Sequence, residues 1–276
     1  MLKNKKSIRL FYPFTAALVT LVGVVLRTVA LLTEYEADIE FYASPSLAIA
    51  TAAILVAAGL TIAHFGYQLR DRLAFSPDYR DLPSLISGVY LAVSLLFLAA
   101  TLVLGALSEP PLALAAAILT AVFAVGSTPI FVLRAFDGRV GTALNGLLTL
   151  PAAAACVLFA LYLSFEDSVM LTSPAKLLAT AAWVFASFFF LGEARIALGR
   201  AKWALHLSVT AATVILAGTL SLPNLVYHAV SGAAILGNTA HDFAAFGLFL
   251  YASARFAAIL SSPAEAKADT ADRGDL

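Results

Sequence analysis

Residues 112–134 read LALAAAILTAVFAVGSTPIFVLR, an uncharged run that stops only at Arg134. About 18 or more apolar residues in a row are enough to cross a ~30 Å hydrocarbon core as a helix. The stretch is rich in Ala, Leu, Val and Phe and poor in Gly and Pro, whereas a membrane barrel would show ~10-residue alternating strands. Seven further runs of this kind follow outward from it: 10–32, 45–65, 84–107, 144–165, 177–198, 203–226 and 241–260. Pro45, Pro83 and Pro111 stand at or beside predicted helix starts, where a missing N–H costs nothing; Ser84, next to Pro83, is a weak cap for the third span. The expected fold is all-α, a polytopic transmembrane helix bundle of about eight spans.

Composition agrees. Hydrophobic residues make up 61% of the 276 and charged residues 12%, with a mean hydropathy of +0.92. Soluble domains carry about 25% charged residues, so half that charge cannot cover a water-facing body of this size. The single cysteine, Cys156, lies in an apolar run and reads as a small core residue.

Formal net charge is zero, but the charges are sorted. With eight spans, 15 of the 17 basic residues fall on one side: Lys3, Lys5, Lys6, Arg9, Arg70, Arg72, Arg80, Arg134, Arg139, Arg195, Arg200, Lys202, Arg255, Lys267 and Arg273. Only Lys176 falls on the other, with Arg27 inside the first span. The opposite connections hold Glu34, Glu36, Asp38, Glu40, Glu109, Glu166 and Asp167. By the positive-inside rule both termini are cytoplasmic, and the expected location is the inner (plasma) membrane. An odd number of spans would put the C-terminal cations outside.

The basic N-terminus followed by an apolar run resembles a secretory signal. Residues 10–32 exceed the usual 7–15-residue h-region, however, and no small-residue cleavage site closes them, so the run is read as an uncleaved span. Residues 1–260 form one transmembrane domain in this reading, and 261–276 a polar, Ala-rich cytoplasmic tail without apolar periodicity, expected to be disordered. The connections are short, so most sequential spans should pack as antiparallel neighbours. Arg70, Arg134, Arg195 and Arg255 recur at separations of 64, 61 and 60 residues. Duplicated hairpins would give that period, and so would any ladder with basic ends on one side.

Polar groups inside a bilayer are costly and mark candidate sites. The most polar membrane stretch is Gly237-Asn238-Thr239-Ala240-His241-Asp242. On a helix Asn238, His241 and Asp242 share a face, where a His beside an Asp can relay protons or hold an ion. The same residues fit a helix start, with Thr239 and Asp242 as a capping box at the positive helix end. A second candidate lies in spans four and five. Pro129, after Ser127 and Thr128, and Pro151, after Thr149, fall at similar depth. Each proline frees a carbonyl one turn back that Ser127, Thr128 or Thr149 can satisfy. Such paired breaks line cavities in transporters, and as plain kinks they also serve packing.

The remaining polar residues read structurally. Glu193 should pair with an arginine from a neighbouring helix end, such as Arg70 or Arg255. Arg27 should snorkel outward toward Glu34 and Glu36, with a role in holding a substrate anion as the alternative. His64 and His206 fall near one interface and His228 and His241 near the other, a layout that bis-His haem ligation needs but that interfacial histidines share. No metal-ligand spacing, phosphate loop, dinucleotide fingerprint or nucleophile elbow is present, so no cofactor, metal or catalytic residue is expected. The cations are dispersed along membrane edges, which disfavours nucleic acid as a partner. The function expected is that of a non-catalytic sensory, scaffold or accessory membrane protein, its partners the lipid bilayer and another membrane protein. The alternative is a permease-like transporter of a small neutral or weakly polar solute.

Overall fold

The structure, a computed structural model, describes residues 5–36, 41–43, 46–69, 81–136, 142–166, 173–200 and 202–261. Eight helices account for most of them: α1 (Lys5–Thr33), α2 (Ser46–Leu69), α3 (Leu82–Gly105), α4 (Pro111–Phe136), α5 (Thr142–Phe165), α6 (Pro174–Ala197), α7 (Trp203–Ser231) and α8 (Thr239–Ser261). Each is long and apolar enough to cross a membrane. The chain is an all-α, polytopic, multi-pass membrane bundle. Short 3₁₀ turns at Ala106–Ser108 and Ile235–Gly237 precede α4 and α8. A small antiparallel hairpin, β1 (Tyr35–Glu36) and β2 (Phe41–Tyr42), joins α1 to α2 with Tyr35 opposite Tyr42. Asp38, Glu40 and residues 262–276, expected as acidic loop and disordered tail, lie outside the described residues.

Six of the helices close a ring. Each of α3 to α8 packs on its neighbour in sequence, and α3 packs back on α8. The α1–α2 hairpin docks on the outside of that ring, chiefly against α7. The expectation of antiparallel sequential neighbours therefore holds except at α2, which lies along α1 and α7 instead of α3. Alanines let the helices approach: Ala117, Ala124, Ala179, Ala182, Ala186, Ala211, Ala217, Ala244 and Ala252 are all fully buried. Between them stand the bulky residues that fill the ring, with Phe131, Phe189, Phe190 and Tyr251 packed ring to ring at centroid distances of 5.0 to 6.3 Å.

Helix ends follow local chemistry and correct some expectations. Asp81, not Ser84, caps α3: its Oδ2 accepts the Ser84 N–H at 3.0 Å. Helix α7 does not stop at 226 but runs through Pro223 to Ser231. It ends at Gly232, whose φ of +73° suits a residue without Cβ, and whose N–H bonds the His228 carbonyl at 2.9 Å. Helices α4 and α5 likewise continue through Pro129 and Pro151, so these prolines are not breaks. Thr128 Oγ1 donates to the Val125 carbonyl at 2.9 Å, the group that Pro129 leaves without its helical donor.

The face on which α1 begins and α8 ends is called the basic face below, and the opposite one, carrying the hairpin, the acidic face.

Candidate functional site

Two buried polar layers cross the bundle. The layer near the basic face forms where helices end or begin. Arg134, in the last turn of α4, is 3% exposed. Its Nε donates to Asn145 Oδ1 at 3.0 Å, its Nη1 to the Tyr251 hydroxyl at 2.7 Å, and its Nη2 to Asn145 Oδ1 and, at 2.9 Å, to Thr149 Oγ1. Thr149 in turn donates to the Asn145 carbonyl at 2.6 Å. One guanidinium thus ties α4 to α5 and α8.

Beside it, Glu193 of α6 is fully buried and takes two partners. Arg255 Nε of α8 donates to its Oε2 at 3.3 Å, and His206 Nε2 of α7 lies 3.2 Å from its Oε1. The expected pairing of Glu193 with Arg255 is present; Arg70 lies outside the described residues. The His206 ring stacks on Phe189 with centroids 5.8 Å apart. It fits because residue 192 is glycine: a Cβ there would land on the imidazole. Of the four periodically spaced arginines, Arg134 and Arg255 are buried and Arg195 is exposed.

The layer near the acidic face joins α1, α7 and α8. Arg27 Nη2 donates to Asn224 Oδ1 at 2.8 Å, and Asn224 Nδ2 donates to Asp242 Oδ1 at 2.6 Å. All three side chains are buried. Arg27 does not snorkel: it turns into the bundle, because Asn224 offers an acceptor there. Glu34, its expected partner, instead takes Ser46 Oγ at 2.7 Å and the Leu47 N–H at 3.3 Å, capping α2. His241 packs between Phe159 and Trp183, with centroids 5.3 and 6.0 Å away, and its Nδ1 is 3.5 Å from Asp242 Oδ1. Asp242 Oδ2, both His241 ring nitrogens and Trp183 Nε1 have no hydrogen-bond partner among the described residues.

The sequence-derived candidates divide between these layers and the helix surface. Asn238 is the cap of α8, its Oδ1 accepting the Ala240 N–H at 2.9 Å. The Thr239–Asp242 capping box therefore does not form, since the Asp242 carboxylate is turned to Asn224. Thr149 belongs to the Arg134 layer. Ser127 is buried and donates to the Ala124 carbonyl at 2.7 Å, while Pro129 is exposed and Pro151 half-buried. A Cβ on Gly126 would come within 3.9 Å of the Pro151 Cβ, so α4 and α5 meet closely there. Sequence reading missed Asn145, Asn224 and Tyr251. An Asn within an otherwise apolar run was the available signal for the first two.

Two cavities of about 370 and 340 Å³ open on the helix surface. The larger lies between α2 and α6 and is walled by Arg27. The smaller lies between α1, α7 and α8, beside Thr20, Phe249 and Ser253. None of the sequence-derived candidates lines either one. Among the described residues no three His, Cys, Asp or Glu side chains gather as metal ligands would.

The class these features define is an integral membrane helical bundle with a polar, cross-braced interior. Comparisons with protein-family models, with curated proteins and with solved structures gave no match.

Proposed function

We propose that this chain is a non-catalytic membrane protein of the sensory, scaffold or accessory kind. In this reading residues 1–260 form one domain in the inner (plasma) membrane, with both termini cytoplasmic, as the basic bias supports. Its partners are the bilayer and a second membrane protein, not nucleic acid. The observation that carries the reading is the separation of the two polar layers. On α8, Asp242 and Arg255 are 13 residues apart, about 20 Å along the axis at ~1.5 Å per residue. Tightly packed Phe131, Phe189, Phe190 and Tyr251 fill the ring next to the basic-face layer. A solute would meet arginine and glutamate already bonded to other helices, then an aromatic plug. Such a bundle is braced for a fixed shape.

The second reading is a permease for a small neutral or weakly polar solute. The close approach of α4 and α5 at Gly126 and Pro151 favours it, because two proline-bearing helices in contact can flex together. Proteoliposomes containing the full chain separate the two. The accessory reading expects uptake of a labelled neutral-metabolite panel to equal that of protein-free liposomes. Saturable uptake that falls in Pro129→Ala would replace it with the permease.

A further inference from the structure

The α2–α6 gap has features that neither reading uses. Its floor is Leu216 of α7, and its walls include Leu55 and Ala52 of α2 and Leu178 and Ala181 of α6. The rim residues Ile49, Val56 and Leu177 are 63%, 67% and 57% exposed, so the gap opens sideways, toward lipid. In this apolar setting stands one cation. Arg27 is 3% exposed, and both its Nε and its Nη1 have no hydrogen-bond partner among the described residues. Its Nη2 bonds a neutral amide, Asn224, which stands between it and the Asp242 carboxylate. A buried guanidinium with two unanswered nitrogens is expensive, and the group that would stabilise it is an oxyanion.

The depth of Arg27 selects among oxyanions. It lies six residues before the end of α1, about 9 Å along the axis at ~1.5 Å per residue. A phosphodiester stays charged and must remain near the headgroups. A carboxylic acid can cross apolar surface in its neutral form and ionise beside the guanidinium. The open side of the gap leaves room for a chain that continues into the bilayer.

We infer that the gap between α2 and α6 binds a long-chain carboxylic acid from the membrane, its carboxylate on Arg27 and its alkyl chain lying out between the two helices. The inference is independent of whether the bundle is accessory or transports a solute.

Thermal unfolding of the purified full chain in a non-ionic detergent tests it, with oleate and methyl oleate titrated in parallel. Oleate should raise the midpoint saturably and the ester should not. Arg27→Gln should weaken the oleate effect at least about tenfold, as loss of a charge-assisted bond does. Ala52→Phe, which fills the gap from its exposed edge and leaves Arg27 in place, should weaken it as well. That variant carries the test if Arg27→Gln does not fold. Equal effects of acid and ester overturn the inference, as does an oleate effect unchanged in either variant. Acetate or inorganic phosphate displacing oleate at millimolar concentration would mark a simple anion site and also overturn it. Phosphatidylglycerol matching oleate with the same Arg27 dependence would assign the gap to a phospholipid instead.

Discussion

Removing the charge of Glu193 should destabilise this protein more than almost any other single-atom exchange. Glu193 is the buried anion between Arg255 and His206, with Arg134 within electrostatic reach, and its side chain is completely enclosed. Glu193→Gln keeps the shape but removes the anion, and it can point an amide donor at Arg255 Nε, itself a donor. Breaking a buried ion pair from one side costs about 3–5 kcal/mol. At roughly 2–4 °C per kcal/mol for a chain of this size, the unfolding midpoint should fall by about 6–20 °C. The fluorescence of Trp183 and Trp203 in detergent reports it. Replacing both partners, as Glu193→Leu with Arg255→Met, removes both charges at similar volume. That double variant should lie within about 2 kcal/mol of the parent, far less destabilised than the sum of the two single variants. A fall of less than about 2 °C for Glu193→Gln, or a double variant worse than the sum of the singles, would refute the reasoning.

Further expectations concern the neighbours of the two layers. Gly192→Ala pushes a methyl into the His206 ring and should cost about 1–3 kcal/mol, and Gly192→Ser no less, read by the same unfolding assay. Asn224→Leu removes the amide between Arg27 and Asp242 and should cost about 1–3 kcal/mol for the groups left unbonded. Asp242→Asn, which keeps an acceptor for Asn224, should cost less than Asn224→Leu by that assay. Asn238→Ala should lose about 0.5–2 kcal/mol of capping. Thr239→Ala should be close to neutral, and the reverse order would restore the capping box read from the sequence.

The eight helices were legible because each must satisfy its own backbone in lipid, which leaves long apolar runs bounded by charge. The expected spans fall within four residues of the helices at six positions; α1 begins five residues early, at Lys5, and α7 runs five residues on, since neither Pro223 nor the polar His228 ends it and Gly232 does. The closed ring was not legible, because contact between α3 and α8 is written in side-chain fit across more than a hundred residues. Arg27 shows the same limit for the site. Whether a long cation snorkels or turns inward depends on its acceptor, and that acceptor, Asn224, is 197 residues away. Glu193 and Arg255 were read correctly because both sit at helix ends that a positive-inside ladder brings to one side.

The docking of α1 and α2 on the outside of the ring sets an order of assembly. These two helices are made before α7, the surface they lie on. Until Asn224 arrives, Arg27 lacks the buried acceptor it ends on and is held near lipid, a costly position that snorkelling toward the nearer interface offsets in part. The newborn hairpin must therefore wait as a free pair in the bilayer while four more crossings are threaded past it, and a chain cut short before α7 would leave that waiting pair with nowhere to land.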